Sequence, residues 1–182
     1  MQKFFQRAVG YIAVIGIIAL TVSVLIYFLD NKGNKGKYAE NIKSEVLYKV
    51  IDVYDGDTLV ANVNGNNIVV RLIGIDTPEI VDKRKPVQCY GVEASLKAKE
   101  ILLNKEIYLE KEKGKGDYDM YGRILAYVSL KDKTSYNKYM IENGYAKEYT
   151  FNKEKYKYQK EYKEAEEKAK KNKIGLWGKC KK

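Results

Sequence analysis

The chain has 182 residues and a mass of 21.0 kDa, room for one domain and little more. Lys and Arg number 34 against 24 Asp and Glu, for a net charge of +10, and there is no histidine. That excludes imidazole bases, His-ligated metals and Ser-His or Cys-His triads. Two cysteines cannot build a zinc site alone or frame a disulfide scaffold, and no glycine-rich phosphate loop is present.

Residues 8–29 carry no charge. As a helix they would extend ~33 Å, enough to cross a hydrocarbon core of about 30 Å. The run continues apolar up to Asp30 with no small-x-small cleavage site, so the expectation is an uncleaved anchor over residues 1–30. Lys3 and Arg7 precede it, and Lys32, Lys35 and Lys37 follow, so charge alone leaves its orientation open. Residues 31–44 read as a Gly/Lys/Asn linker. Residues 45–182 form the globular part.

Within it, residues 46–54 and 58–63 are rich in Val, Ile and Tyr and read as strands. Asn64-Gly65-Asn66-Asn67 predicts a hairpin turn, and 68–75 a third strand. Residues 91–103 predict a helix with Val92, Leu96, Lys99 and Leu103 on one face, Lys99 laying its stem along the stripe. Strands at 105–111 and 122–130 flank a Gly/Lys/Asp loop. A short helix follows at 135–143, which Gly144 can cap. A long charged helix at 153–172 carries a docking stripe of Tyr158, Tyr162, Ala165 and Ala169. Ile174-Gly175-Leu176-Trp177 closes the domain, with Trp177 expected to pack against it. The order β-β-β-α-β-β-α-α suits an α+β, mainly β fold: a closed, five-stranded OB-type barrel with three helices.

Three clusters could carry chemistry. Asp55-Gly56-Asp57-Thr58 is, taken alone, equally a tight turn. Asp76-Thr77-Pro78-Glu79, ending a strand that holds Arg71, is equally a helix start. Asp119-Met120-Tyr121-Gly122-Arg123 is equally a strand end with a solvated Arg. The chain has only four Arg among its basic residues, which makes Arg71 and Arg123 more informative than any Lys. Together the clusters supply hard oxygen donors (Asp57, Asp76), a further carboxylate (Glu79) and two guanidiniums. Hard oxygens suit Ca²⁺ or Mg²⁺. A carboxylate can orient or deprotonate water, and planar forks can hold a phosphate as charge builds. This is a kit for phosphodiester hydrolysis without histidine.

At this point the sequence resembles the staphylococcal nuclease family, over about residues 46–178. The likeness rests on D-G-D-T, R-L-x-G-I-D-T-P-E, Y-G-x-E-A, D-x-Y-G-R-x-L-A-Y and G-L-W. The resemblance implies Ca²⁺ as cofactor, held by Asp57, Asp76 and the Thr77 carbonyl, with Asp55 behind them. It implies that Glu79 activates or positions the attacking water and that Arg71 and Arg123 address the scissile phosphate. Tyr121 would lie beside the bound nucleotide, and Tyr149 stands nearest to the family's second stacking tyrosine. Met120 departs from the lysine some members carry there.

The implied activity is Ca²⁺-dependent hydrolysis of DNA and RNA with slight sequence preference, leaving 3′-phosphates. The rival is a non-catalytic nucleic-acid-binding module, which would lack several of these charged residues. A third class, a membrane-anchored scaffold for a protein partner, would show an exposed apolar patch. A nuclease with weak base readout would damage its own cell from the cytosol, so the domain is expected to face outward, tethered through residues 8–29. Residues 153–182 hold twelve Lys and five Glu. They read either as an added attraction for nucleic acid or as a solvated helix face. Cys89 and Cys180 could pair or stay free.

Overall fold

The computed structural model of the chain describes residues 21–25, 38–80 and 86–180. Two compact units emerge, Met1–Glu40 and Asn41–Lys182. Of the apolar segment at 8–29, only residues 21–25 are described, and they are helical. The remainder of the expected span lies outside the described residues. Among the described residues no helix is long and apolar enough to cross a membrane.

The second unit is built on β1 (Leu47–Val53), β2 (Thr58–Val63), β3 (Asn66–Leu72), β5 (Glu106–Glu110) and β6 (Ile124–Leu130), which close into a barrel in the order β1-β2-β3-β6-β5. Four of the five contacts are antiparallel; β3 and β6 run parallel, with Val70 opposite Ile124 and Leu72 opposite Ala126. This is the barrel expected from the sequence. Its interior is lined by alternate residues: Leu59, Ala61 and Val63 of β2, Val70 and Leu72 of β3, Ile107 and Leu109 of β5, Ala126 and Val128 of β6, all buried. Each buried Leu or Ile there contributes about 1.5–3 kcal/mol by leaving water. In β1 the register slips between Val50 and Asp52, a bulge. The extra residue lets both Val50 and Val53 point inward and leaves Ile51 facing solvent.

The chain departs from the sequence reading in four places. Asn64 (φ 51°) and Gly65 (φ 85°) alone make the β2–β3 turn, and Asn66 and Asn67 already belong to β3. The strand expected at 68–75 is two strands. Gly74 (φ 80°) turns the chain, and the short β4 (Ile75–Asp76) leaves the barrel to pair with β7 (Lys147–Glu148). A side chain at Gly74 would also strike the Tyr156 ring at 2.7 Å.

Helix α1 (Gly91–Leu102) packs on β1, and its buried residues are Gly91, Ala94, Ser95, Ala98 and Leu102. The stripe of Val92, Leu96, Lys99 and Leu103 is not its buried face: Val92 and Leu96 are 50 % and 61 % exposed. Small residues win here because they let the helix backbone approach the barrel closely. Lastly, the helix expected from 153 starts later, as α3 (Gln159–Lys171), after a single 3₁₀ turn at Phe151–Lys153.

Of the expected stripe, Tyr162, Ala165 and Ala169 are buried on α3, while Tyr158 precedes the helix and is half-buried. Helix α2 (Tyr136–Glu142) is capped by Ser135, whose hydroxyl accepts from the Lys138 N–H at 3.3 Å. A fourth short helix, α4 (Leu176–Lys179), adds to the three expected. Trp177 lies in it, half-buried, with the Lys170 ammonium 4.8 Å from its ring centroid. Two of the five lysines of α3 pair along the helix itself, Lys170 with Glu166 at 2.6 Å and Lys160 with Glu164 at 4.0 Å.

Candidate active site

The turn between β1 and β2 is held from several sides. The Asp55 carboxylate accepts from the Asp57 N–H at 2.9 Å, and the Tyr54 N–H donates to the Thr58 carbonyl at 3.0 Å. Gly56 has Thr77 against one face: a Cβ there would meet the Thr77 methyl at 2.5 Å. The fully buried Tyr136 hydroxyl donates to the Gly56 carbonyl at 2.9 Å. This turn therefore has no room for a larger residue and little freedom to move.

Asp57 is only 6 % exposed, and both its oxygens are engaged. Oδ1 accepts from the Thr58 hydroxyl at 3.0 Å and lies 3.2 Å from Arg71 Nε. Oδ2 accepts from the Thr77 N–H at 2.8 Å and the Thr77 hydroxyl at 3.1 Å. Arg71, opposite Thr58 across the β2–β3 ladder, bridges onward to Asp76 through Nη2 at 3.4 Å. Its Nη1 donates to the Leu72 and Ile75 carbonyls at 2.6 and 2.8 Å. Arg71 thus shapes the Gly74 turn that delivers Asp76, besides meeting two carboxylates.

Arg123 joins the group from the start of β6. Its Nε donates to Asp119 at 2.6 Å, and Nη1 lies 3.5 Å from the Thr58 hydroxyl. Asp119 also accepts from the Arg123 and Tyr121 N–H groups, both at 2.9 Å, which folds the 119–123 turn around its own carboxylate. Arg123–Thr58–Asp57–Arg71–Asp76 is therefore one unbroken run of contacts, drawn from all three sequence clusters. Glu79 is half-buried, and its N–H donates to Gln88 Oε1 at 3.0 Å. Its charge reaches Asp76.

Tyr121 is 74 % exposed, its ring 5.4 Å from the Arg123 guanidinium carbon. Tyr149 is exposed beside the β4–β7 pair, and its N–H donates to the Gly74 carbonyl at 3.1 Å. Among the described residues no hydrogen bond or ion pair joins Tyr149 to the Arg–Asp run. Sequence reasoning missed Tyr136 and Gln88. It also missed the fully buried Asn137, which accepts from the Val128 N–H and donates to the Ile73 carbonyl. Tyr136 and Asn137 reach Gly56 and Ile73 across 80 and 64 positions, Gln88 reaches Glu79 across nine, and no local motif marks any of them.

Carboxylates outnumber cations here. Burial, then the Asp57 charge, pushes the Asp55 carboxyl up to about 7. Asp76 is raised too, by partial loss of hydration and then by Asp57, against the opposing pull of Arg71 and Lys147. A hard cation would relieve this excess, and the donors are all oxygens, so the residues present fit one. Among the described residues no group of three His, Cys, Asp or Glu side chains is arranged to hold a metal. A cation at Asp57 and Asp76 would draw its remaining ligands from backbone carbonyls and water. An open depression of about 700 Å³ lined by Lys49, Asn104, Lys105 and Glu106 contains none of these residues.

A family model described as staphylococcal nuclease homologue matches residues 69–179. The thermonuclease of Staphylococcus hyicus is 37 % identical over 161 residues, covering 88 % of this chain and 93 % of that protein. The thermonuclease of Staphylococcus intermedius is 36 % identical over 162 residues, covering 88 % and 94 %. An SPbeta prophage-derived endonuclease of Bacillus subtilis is 38 % identical over 125 residues, covering 69 % of this chain and 42 % of that one.

Proposed function

The chain belongs to the staphylococcal nuclease family, and on that footing we propose that it is a Ca²⁺-dependent nuclease. Its substrates are DNA and RNA, cut with little sequence preference to leave 3′-phosphates. The observation that carries the reading is the continuous run from Arg123 through Thr58, Asp57 and Arg71 to Asp76, with Glu79 following on the same strand end.

Asp57, Asp76 and the Thr77 carbonyl would hold Ca²⁺, which when bound supplies a Lewis acid for the phosphate oxygens. Glu79 orients the attacking water and takes its proton. Arg123 has its Nε edge committed to Asp119 and Nη1 near the Thr58 hydroxyl, and its guanidinium stabilises the charge growing on the phosphate. Arg71 acts mainly from the inside: it holds Asp57, Asp76 and the Gly74 turn in register and contributes its positive charge to the phosphate. The Tyr121 ring, open to solvent beside Arg123, is a stacking surface for a base, and Tyr149 offers a second. These groups address backbone and ring faces and not base edges, hence the weak sequence preference.

The domain is read as tethered through residues 8–29 and facing outward. The Cys89–Cys180 disulfide supports this, since such bonds persist in oxidising compartments. Plasmid digestion by the full chain in mild detergent tests the activity: cleavage is expected with Ca²⁺ and little with Mg²⁺. Full cleavage in excess chelator would rule the metal out. Protease applied to intact cells tests the orientation, with release of the domain expected.

A further inference from the structure

We infer that Gln88, braced by the Cys89–Cys180 disulfide beside it, is the positioning residue for Glu79. The inference rests on Glu79 handling the attacking water. Gln88 grips the Glu79 backbone twice: its Oε1 accepts from the Glu79 N–H, and its own N–H donates to the Glu79 carbonyl, both at 3.0 Å. Two bonds of opposite sense on one residue fix where the peptide units on both sides of Glu79 lie, and so where its side chain starts.

Gln88 is itself held from the other side. Its carbonyl accepts from the Gly91 N–H at 3.0 Å as α1 begins. Gly91 lies so close to the strand end that a Cβ there would meet the Ile80 side chain at 2.6 Å and the Pro78 carbonyl at 3.0 Å. Between them, Cys89 bonds to Cys180, 91 residues on, and Tyr90 (φ 68°) stacks on Tyr145 with centroids 5.6 Å apart. Cys180 follows α4, whose first residue, Leu176, donates its N–H to the Gly144 carbonyl at 2.9 Å. The brace thus ends in the body of the domain. The disulfide anchors the start of α1, and with it Gln88, to the end of α4, while the close approach of Gly91 keeps it against the Pro78–Ile80 segment.

The test uses the full chain in mild detergent with saturating Ca²⁺ and an oligonucleotide substrate. It is run at a temperature where circular dichroism shows every variant folded. Gln88→Ala is expected to lower kcat by about tenfold with KM changed by less than about twofold, since a displacement of about 1 Å at a reacting group can cost up to about 10²-fold. Gln88→Glu keeps the acceptor oxygen and should recover kcat to within about threefold of the unmutated chain. Cys180→Ser should lower kcat in the same direction and add little on top of Gln88→Ala, because both act through one contact. An external dithiol should reproduce the loss: it is oxidised to its cyclic disulfide as Cys89 and Cys180 become thiols. An active chain that needs Glu79 but is indifferent to Gln88→Ala overturns this inference alone, as does a loss that Gln88→Glu fails to restore. A chain that does not cleave, or a Glu79→Gln variant that cleaves at full rate, overturns the parent reading and this one with it.

Discussion

Glu110, Glu112 and Glu148, where α3 meets the barrel, keep different company from Asp55, Asp57 and Asp76 around the β1–β2 turn. Glu112 accepts from the Tyr127 hydroxyl and, at 2.8 Å, from the Lys157 N–H. Glu110 accepts from the Tyr158 hydroxyl at 2.8 Å and pairs with Lys157. Glu148 accepts from the Tyr156 and Thr150 hydroxyls. Burial, together with these bonds, drives the Tyr127 and Tyr156 hydroxyls far above their usual range, so they stay neutral donors at any ordinary pH. Each glutamate there has neutral donors or a lysine of its own. The aspartates instead crowd one another and share Arg71, and two of them resist ionising. Both regions use buried hydrogen bonds; only the second leaves charge uncompensated. Charge left over in a rigid setting is what a functional site needs and a docking face avoids.

If the contrast is right, damage around the aspartates should cost activity most. Glu79→Gln and Arg123→Ala should each lower kcat on the order of 10²-fold or more, with unfolding curves unchanged. Steady-state cleavage of an oligonucleotide measures this, and an Arg123→Ala chain with normal turnover would erase the distinction between the regions. Asp57→Ala should harm both properties. It weakens Ca²⁺ binding, and it removes the acceptor of the Thr77 N–H and an anion from Arg71. Breaking a buried pair costs roughly 3–5 kcal/mol; here Arg71 keeps Asp76 and two carbonyls, so about 2 kcal/mol is expected in a denaturant titration.

The third test is pH, in chelator. Asp55 titrates near 7 in the folded chain against 3.8 for the free group. Between those values the folded state holds a proton the unfolded state has released. The contribution of Asp55 is therefore most favourable below about pH 4 and declines as pH rises through 7. Asp55→Asn should flatten that decline, and a metal-free midpoint that is level from pH 4 to 7 in the unmutated chain would contradict it. The smallest effect belongs to the dock. Tyr127→Phe removes one donor from Glu112 and should cost about 1–2 kcal/mol in thermal or denaturant unfolding with kcat unaltered.

What the residues revealed in advance was whatever is written locally. The largely apolar run from Thr58 to Val63 is a strand over those bounds, and the D-G-D-T, D-T-P-E and Y-G-R clusters meet through Arg71, Thr58 and Arg123. What stayed hidden depends on distant partners or on space. The break at Gly74 reflects β4 pairing with β7, and nothing near Ile75 announces Lys147 or Glu148. The face of α1 was misjudged because apolarity marks Val92 and Leu96, whereas close approach to β1 selects Ala94 and Ala98. The late start of α3 follows from Tyr156 and Tyr158, whose hydroxyls are drawn to Glu148 and Glu110. Tyr136 reaches Gly56 across 80 positions, and no local motif carries that information.

The parallel β3–β6 seam has a consequence for how the chain acquires its shape. β1, β2 and β3 follow one another through short turns and can assemble as a local meander. Both flanks of that meander wait for later sequence: Leu47 for Tyr108 of β5, and Val70 for Ile124 of β6. Closing such distant contacts is slow relative to forming hairpins. A nascent chain that has emerged only as far as α1 therefore presents two unpaired strand edges, the arrangement most prone to join a neighbouring chain. Arrival of the β5–β6 hairpin, which pairs with both flanks at once, ends that exposure in a single step, so a chain truncated after α1 and before Glu106 should aggregate where the whole chain does not.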